Sequence, residues 1–348
     1  MSLVGIVANP ASGRDIRRLV AHGSVFGNDE KVRIVRRLLA GLNAVGVKQA
    51  LIMPDSYGIG MRSLDGLRIS MDVRLLDMRV GWTQEDSTRA AKLLAEAGAG
   101  CIIVLGGDGT NRVVARGCGE VPLVSVSTGT NNVFPTMLEG TVAGMAAGLV
   151  ATGAVPLEEV AIRRKRLEVW IDGELRDLAL VDLAVSHDTF VGARALWDAS
   201  QLAEVVLTCA VPGSIGLSAL GTVVRPIAVD EPCGLHLELG PGGRQAWVPI
   251  APGLIKHVPV RSYRVIDIGE CVELNVGTGT LALDGEREVE TRGGTIAVRL
   301  SAEGPWQVDV SRALAAAAAR GLFLHDLDDH PSLPPEPRRR HRSASEHQ

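Results

Sequence analysis

The chain has 348 residues, more than one hydrophobic core usually absorbs, so we expect two domains. Its residues are 46% hydrophobic and 22% charged, which is typical of a globular protein. The formal net charge of -4 argues against a broad electrostatic attraction to nucleic acid or to an anionic membrane. The five cysteines are scattered and include no C-x-x-C pair, so they indicate neither a disulfide framework nor a zinc site.

The first residues lack the basic and then apolar layout of a signal peptide. Two uncharged stretches, 141–156 and 207–224, are too short or are interrupted by proline and glycine, which argues against membrane spans. We therefore expect a cytoplasmic protein with no integral membrane association, and small molecules as its partners.

Strands and helices alternate over residues 1–150. Residues 3–8 form an apolar run that ends in an Asn-Pro turn, and 31–45 carry apolar residues at the spacing of one helix face. Residues 101–105 are a continuous apolar run, as expected of a strand buried on both faces, and 121–127 form a further strand. This alternation predicts an α/β domain with a doubly wound parallel sheet, whose ligands would lie beyond the carboxyl ends of the strands.

A β-rich, sandwich-like domain is predicted over residues 151–305. Its strand-like runs include a hairpin at Asp172-Gly173. The basic run 163–166 falls between two strands and is interpreted as a solvated turn. Residues 306–325 predict a last helix, capped by Ser311, that packs back onto the first domain. The polar, proline-rich residues 326–348 predict a disordered tail.

The most informative segment follows the buried strand at 101–105, and we call it the glycine turn. Its residues are Gly106, Gly107, Asp108, Gly109 and Thr110, and Asn111 continues it. Glycines let backbone amides approach a phosphate chain, and the following helix would point its N-terminus at the negative charge. A carboxylate repels phosphate, so Asp108 makes sense if it accepts a proton from an attacking hydroxyl or holds Mg²⁺. The alternative is a plain strand-to-helix turn in which Asp108 is a turn former.

Two other polar turns follow predicted strands. The turn after the strand at 121–127 consists of Thr128, Gly129, Thr130, Asn131 and Asn132. Its adjacent amides are suited to ribose or phosphate, although an Asn-rich turn is an equal alternative. Asn9 and Ser12 follow the first strand, where a ligand could also reach them, and a simple Asn-Pro turn is the competing explanation. No G-x-x-x-x-G-K-[ST] phosphate loop is present.

These motifs carry a resemblance. Their order along the chain is Asn9-Pro10-x-Ser12-Gly13, the glycine turn, the turn 128–132 and Asp284-Gly285-Glu286. This order resembles the superfamily of NAD kinases and diacylglycerol-type lipid kinases. Segments 106–111, 128–134 and 189–198 are most similar to the ATP-NAD kinase-like branch that contains AcoX, a protein of acetoin catabolism. The resemblance spans roughly residues 3–300, and the glycine turn is its most specific part.

The resemblance implies an ATP-dependent small-molecule kinase, with Mg²⁺ as cofactor, NAD or a related hydroxyl compound as acceptor, and a homo-oligomeric state. With NAD as acceptor, the product would be NADP. Asp108 would then be the general base. The nucleotide and its phosphates would contact the glycines and polar residues of the three turns. Weaker candidates for substrate contacts are Asp182, Arg194, Asp284 and Gly285. The sequence itself identifies no metal ligands.

Two departures from the family pattern weaken NAD as the acceptor. Authentic NAD kinases carry an Asn-Glu pair, whereas this chain has Val181-Asp182. The family's Gly-Ser-Thr-Ala-Tyr turn is reduced to Gly213-Ser214-Ile215-Gly216. Two alternatives therefore stay open: a lipid kinase of the diacylglycerol type, which would need an apolar acceptor groove, and a nucleotide-sensing protein that performs no chemistry.

Overall fold

The computed structural model describes residues 2–13, 22, 26–129, 132–186, 201–274 and 276–324. The helices of these ranges are α1 (Asn28–Ala44), α2 (Ile59–Ser63), α3 (Glu85–Glu96), α4 (Asp108–Ala115), α5 (Gly140–Ala151), α6 (Leu157–Val160), α7 (Leu217–Val224) and α8 (Val310–Ala319). The strands are β1 (Leu3–Ala8), β2 (Gln49–Ile52), β3 (Asp72–Leu75), β4 (Cys101–Gly106), β5 (Leu123–Ser127), β6 (Ala161–Arg163), β7 (Arg166–Ile171), β8 (Glu174–Ala179), β9 (Asp182–Ser186), β10 (Leu202–Leu207), β11 (Cys233–Ala251), β12 (Leu254–Asp267), β13 (Cys271–Leu274), β14 (Thr278–Leu283), β15 (Glu286–Arg292), β16 (Ile296–Ser301) and β17 (Trp306–Val308).

The first domain is built on a seven-stranded sheet in the order β3-β2-β1-β4-β5-β17-β6. Strands β1 to β5 and β17 run parallel, and β6 is antiparallel to β17. Every residue of β1, β4 and β5 is buried, because helices cover both faces of the sheet. The predicted α/β class with a doubly wound parallel sheet is thus confirmed.

Two apolar clusters lie on the opposite faces of this sheet. On one face, α1 and α5 pack against each other and against β1 and β4. On the other face, α3 and α4 cover the same strands. Alternate residues of each central strand point to opposite faces, so Ile103 belongs to the first cluster and Ile102 to the second. This alternation is why runs such as Cys101–Gly106 contain no polar side chain.

The chain returns to the first domain after the second one is complete. Strand β17 lies between β5 and β6, and α8 packs on α5. The first domain therefore extends beyond the predicted boundary at residue 150, since its sheet also includes β6, which ends at Arg163.

The predicted cap of the last helix is also corrected. Asp309, not Ser311, caps α8, because its carboxylate accepts the Arg312 amide at 3.0 Å.

The second domain consists of antiparallel strands in two sheets. One has six strands in the order β12-β11-β10-β9-β14-β15, and the other has four in the order β13-β16-β7-β8. Apolar residues of both sheets share one core, as the sandwich-like prediction expected. The hairpin predicted at Asp172-Gly173 joins β7 and β8, with φ of 51° and 82° at these residues.

None of the helices in the described ranges combines the length and the apolar character that crossing a bilayer requires. The predicted tail, residues 326–348, lies outside the described residues.

Candidate functional site

The three predicted polar turns meet at one edge of the first sheet. Strands β1, β4 and β5 are neighbours, so their carboxyl ends place Asn9, Gly107 and Thr128 side by side. The Asn9 Nδ2 donates to Thr110 Oγ1 at 2.9 Å, which links the first turn to the glycine turn. The Ser12 and Thr128 hydroxyls are 2.8 Å apart and share a hydrogen bond, which links the first turn to the third.

A buried cation beneath the first turn was not identified from the sequence. Lys31 on α1 has no exposed surface, and its Nζ donates to the carbonyls of Asn9 at 2.8 Å, Pro10 at 3.3 Å and Ser12 at 2.9 Å. A buried ammonium needs such acceptors, so Lys31 and the turn fix each other. The sequence held a signal, because Lys31 is in helical register with the buried Val35 four residues later.

The glycines of the site make room for the protein's own side chains. A Cβ on Gly106 would lie 2.3 Å from Thr110 Cβ, and a Cβ on Gly107 would lie 2.8 Å from Asn132 Oδ1. A Cβ on Gly129 would meet the same Asn132 amide at 2.7 Å. Asn132 therefore needs glycine on both sides. Part of the glycine pattern is thus explained by packing within the turns.

The Asn132 side chain connects the third turn to the glycine turn. Its Nδ2 donates to Ser127 Oγ at 2.7 Å, and its Oδ1 accepts the Asp108 amide at 3.3 Å. Asn111 works in a similar way from α4, because its Nδ2 donates to the Gly107 carbonyl at 2.9 Å and its Oδ1 accepts from Ser125 Oγ at 2.7 Å. Asn111 and Thr128 have no exposed surface, so in this structure both act by holding the turns.

Asp108 is the first residue of α4 and is 7% exposed. Its Oδ1 accepts the Phe134 amide at 2.8 Å and the Val133 amide at 3.1 Å, and its Oδ2 accepts the Val133 amide at 3.1 Å. Two backbone donors therefore fix both carboxylate oxygens. The helix N-terminus beneath them also favours negative charge.

Two amides of α4 have no acceptor in the described part of the chain. They belong to Gly109 and Thr110, in the first turn of the helix, where backbone N–H groups have no partner within the helix itself. They lie directly after Asp108. This end of α4 therefore offers hydrogen-bond donors and a fixed carboxylate within one turn of helix.

The second domain reaches the glycine turn through the β14–β15 hairpin. A Cβ on Gly109 would lie 3.3 to 3.4 Å from the Glu286 carboxyl group, so Glu286 lies against the glycine turn. The hairpin is anchored by Asp284, whose carboxylate accepts the amides of Leu180, Val181 and Asp182 at 2.8 to 3.2 Å. In the reverse direction, Asp182 Oδ1 accepts the Gly285 amide at 3.0 Å. The two turns therefore interlock.

The Asp284 side chain has no exposed surface. In this structure it fixes the two turns, and it does not present its carboxylate to a ligand. Burial raises the pKa of the Asp284 carboxyl, against the opposing effects of Arg112 and of the three amides. The predicted substrate contacts by Asp182 and Gly285 stay predictions.

Arg112, on α4, is a second buried cation that the sequence did not reveal. It has no exposed surface and extends from the first domain into a group of acids on the second. Its guanidinium lies 2.9 Å from Asp177, 2.8 Å from Glu288 and 3.9 Å from Asp284. Since α4 also carries Asp108, this cluster fixes the helix against the β-rich domain.

The basic run 163–166 was expected to be a solvated turn, and this prediction is wrong. Arg164 and Lys165 are each only 6% exposed. The Lys165 Nζ donates to the carbonyls of Ala228, Glu231 and Cys233. These two central residues of the run are buried because the chain passes there from the first domain to the second, whereas Arg163 and Arg166 are partly exposed.

A cavity of about 400 Å³ lies at the opposite end of α4, which at 1.5 Å per residue is roughly 12 Å from Asp108. Its lining includes Arg116, Arg163 and Arg166, and each of these forms ion pairs with acidic side chains. The cavity therefore does not coincide with the predicted site.

Comparison with known proteins gives two family matches. Residues 4–154 match the model of the ATP-NAD kinase N-terminal domain, and residues 165–303 match that of the acetoin catabolism protein X C-terminal domain. The chain is also 44% identical over 301 residues to the acetoin catabolism protein X of Cupriavidus necator, covering 82% of this chain and 84% of that protein. The chain belongs to the acetoin catabolism protein X family. The predicted resemblance is thus confirmed for both halves of the chain.

The boundary between the two family matches falls at residues 154–165, where the structure passes from the first domain to the second. In this member of the acetoin catabolism protein X family, the glycine turn lies in the kinase-type half and Glu286 in the other half. The candidate site is therefore assembled from both matched regions.

The two family departures noted in the sequence have structural explanations. Val181 has no exposed surface and packs with Phe134 and Leu180 in a small apolar cluster next to Asp108. In the reduced turn, the Ser214 hydroxyl donates to the Val211 carbonyl at 2.7 Å, and the turn leads into α7. In this family member, both positions serve packing and turn formation.

Three predicted contact residues, Thr130, Asn131 and Arg194, lie outside the described residues. Their proposed contacts stay predictions.

Proposed function

We propose that this chain is an ATP-dependent kinase of small hydroxyl compounds, with Asp108 as the base. The observation that carries this proposal is the N-terminus of α4. There, the amides of Gly109 and Thr110 have no protein acceptor among the described residues, and the adjacent Asp108 carboxylate lies where the two domains meet. Such an end favours the oxygens of a phosphate chain. The match of residues 4–154 to an ATP-NAD kinase domain supports ATP as the donor.

Mg²⁺ fits this site in a limited way. Within the described ranges, no group of three or more His, Cys, Asp or Glu side chains is arranged to hold a metal ion. Mg²⁺ usually binds through one or two carboxylates together with substrate phosphates and waters. Glu286 lies against Gly109 and is the residue that would hold it. When bound, the ion would offset the negative charge of the phosphates beside this carboxylate.

Asp108 would act on the acceptor hydroxyl. As the hydroxyl oxygen bonds to the terminal phosphorus, the bond from that phosphorus to the bridging oxygen of ADP breaks, and the hydroxyl proton passes to Asp108. The amides of Val133 and Phe134 hold the carboxylate in one orientation during this transfer. A fixed orientation is a large part of what a kinase site contributes, because the chemistry itself lies in the phosphates.

The acceptor we propose is a small hydroxyl compound, with NAD as the second choice. In NAD kinases, an amide side chain occupies the position of Val181, and here that side chain is apolar and buried. The relative from Cupriavidus necator is named for acetoin catabolism, which supports a hydroxyl compound related to acetoin.

The test is phosphoryl transfer from labelled ATP with Mg²⁺ to a panel of NAD, acetoin-related diols and sugars. We expect Asp108→Asn to lower the rate by ~10²–10⁴-fold and to leave ATP binding intact. The matched control is Asp86→Asn. Asp86 is 5% exposed and accepts the amides of Gly81 and Thr83 at the start of α3, so it is likewise a buried carboxylate held by backbone amides. Full turnover by Asp108→Asn would contradict the assigned role.

A second function, nucleotide sensing without chemistry, is favoured by one observation. The space above Gly106, Gly107 and Gly129 is occupied by Thr110 and Asn132, and both oxygens of Asp108 already accept amides. A chain that binds ATP or NAD and transfers phosphate to no acceptor of the panel would support this alternative.

A further inference from the structure

The chain passes between the domains twice, and the two crossings are joined. The outward crossing contains Arg164, and the return crossing runs through Gly304 and Pro305. The Arg164 amide donates to the Pro305 carbonyl at 3.0 Å, and the Gly304 amide donates to the Arg164 carbonyl at 3.0 Å. A Cβ on Gly304 would lie 2.2 Å from that carbonyl oxygen, so the approach requires glycine. The two crossings therefore form a single connection.

The Arg164 side chain extends from this connection towards the candidate site. Its guanidinium lies over the Phe134 ring, 4.6 Å from the ring centre, and donates to Gln307 Oε1. Among the described residues, no carboxylate lies within ion-pair distance of it. Burial lowers the pKa of this guanidinium, while the Cys209 thiol and the Asp108 carboxylate act in the opposite direction. An arginine in a protein still stays protonated, so a cation is held buried near Asp108.

A continuous chain of hydrogen bonds leads from Arg164 to the Asp108 carboxylate. Arg164 donates to Gln307 Oε1, and Gln307 Nε2 donates to the Phe134 carbonyl at 2.7 Å. The Phe134 amide then donates to Asp108 Oδ1 at 2.8 Å. The ring, the carbonyl and the amide of Phe134 are thus all held. One of these contacts comes from Arg164 in the outward crossing, and one from Gln307 in β17, which follows the return crossing.

We propose that Arg164 and Gln307 are positioning residues for Asp108. Arg164 in the outward crossing and Gln307 in β17 hold Phe134, and the Phe134 amide in turn holds the carboxylate in the orientation that accepts the hydroxyl proton. The catalytic part of this inference rests on the proposed function of Asp108. A shift of a reacting group by ~1 Å typically costs about 10²-fold in rate, so loss of this support is measurable.

The experiment uses the full chain labelled with ¹⁵N-phenylalanine. The sequence contains only 4 phenylalanines, so the Phe134 amide gives one of at most four signals, and Phe134→Leu assigns it. Asp108→Asn shows how this signal moves when the carboxylate is lost. We expect the Phe134 amide in Arg164→Met to shift in the same sense and to exchange faster with solvent, because the ring and the carbonyl of Phe134 lose their support and the residue is held less firmly. Gln307→Ala breaks the same chain without removing a buried charge, and we expect the same direction of change.

The matched control is Arg163→Met. Arg163 lies one residue earlier, and its guanidinium is 5.5 Å from the centre of the Trp306 ring, but it pairs with Glu120 and Glu303 instead of supporting Phe134. Its removal should leave the Phe134 signal unchanged. For phosphoryl transfer, we expect Arg164→Met and Gln307→Ala to lower kcat with the KM for ATP unchanged, and Arg164→Lys to restore part of kcat because it keeps the charge.

The NMR signal and the phosphoryl-transfer assay test the positioning role and the proposed function separately. A Phe134 signal that is the same in wild type, Arg164→Met and Gln307→Ala overturns the positioning role, whatever the activity. A wild-type chain that transfers no phosphate overturns the proposed function, and the Phe134 signal still decides whether the two residues hold the Asp108 turn.

Discussion

Two buried arginines join the same two domains in different ways. Arg112 meets three carboxylates, whereas Arg164 meets an amide oxygen and an aromatic ring. Burial by itself lowers the pKa of either guanidinium. The surrounding carboxylates outweigh this effect at Arg112, so its pKa is raised, and the pKa of Arg164 stays lowered.

The different surroundings of Arg112 and Arg164 indicate different roles, one in the stability of the protein and one in the positioning of the site. At Arg112 the acids outnumber the cation, so removing the arginine would leave buried negative charge without a partner. At Arg164 the described residues include no ion-paired acid, and the nearest consequence of its loss is an unsatisfied Gln307 oxygen. We therefore expect Arg112 to hold the domains together and Arg164 to set the geometry of the Asp108 turn.

The largest effect on stability is expected for Arg112→Met. Breaking a buried ion pair by removing one partner typically costs about 3–5 kcal/mol, and here three acids lose their cation. Urea denaturation of the full chain measures this change in the free energy of unfolding.

Arg116→Met is the control for this measurement. Arg116 caps the C-terminus of α4, one turn after Arg112, and 29% of its side chain is exposed. It pairs with the exposed Glu85 at 3.2 Å, and Asp177, which lies 3.9 Å away, has Arg112 as its nearer partner. An exposed pair contributes about 0–1 kcal/mol, so this variant should unfold near the wild-type urea midpoint. If Arg112→Met and Arg116→Met lowered the free energy of unfolding equally, the special role of Arg112 in stability would be contradicted.

A smaller loss is expected for Arg164→Met. An unsatisfied buried acceptor costs about 1–3 kcal/mol, and that cost applies here to Gln307 Oε1. The same urea titration measures it. A loss as large as that of Arg112→Met would show that Arg164 is mainly a structural residue, and the distinction between the two arginines would fail.

The smallest effect concerns Glu168, a carboxylate of the second domain that is itself 3% exposed but whose two arginine partners reach solvent. Burial of Glu168 would raise the pKa of its carboxyl, but hydrogen bonds from Arg166 and Arg299 outweigh burial and lower it below 4.5. A carboxyl whose pKa is lowered by folding stabilises the protein above its unfolded value, and this stability is lost as the pH falls through the folded value. Both arginines are partly exposed, so we expect Glu168→Gln to cost about 1 kcal/mol or less at pH 7.

The pH dependence gives a sharper test than this single value. Below pH 4.5, the difference between wild type and Glu168→Gln should shrink, because the wild-type carboxyl becomes protonated. Glu174→Gln is the control, since Glu174 and its partner Arg176 are both mostly exposed. Unfolding curves from pH 3 to pH 7 for the three proteins measure the effect, and a difference that is independent of pH would contradict it.

Much of the first domain could be predicted from the sequence because its signals are local. The apolar run before Gly106 predicts a strand buried on both faces, and the polar turns after β1, β4 and β5 meet because parallel strands end at one edge. The boundary at residue 150 could not be predicted, since β6 and β17 join this sheet only through long-range pairing. A local sequence pattern can predict a strand, but it does not indicate which other strand will pair with it in the sheet.

The side chains around the site could be predicted only in part. Asp108 is marked by the glycines beside it, but Arg112 and Arg164 look like ordinary surface arginines until the second domain covers them. Arg164 lies in a run of four basic residues, a pattern that usually indicates a solvated surface. Its burial depends on the return crossing near Pro305, about 140 residues later in the chain.

The position of β17 between β5 and β6 affects how the chain folds during synthesis. Roughly 140 residues separate Arg163 from Trp306, and a ribosome adding ~5–20 residues per second needs on the order of ten to thirty seconds to make them. During that interval, Thr136 already protects most of this edge of β5, because it pairs with Ser125 and Ser127. Only the backbone groups of Leu123 wait for β17, so the nascent first domain leaves little of this strand edge exposed to other chains.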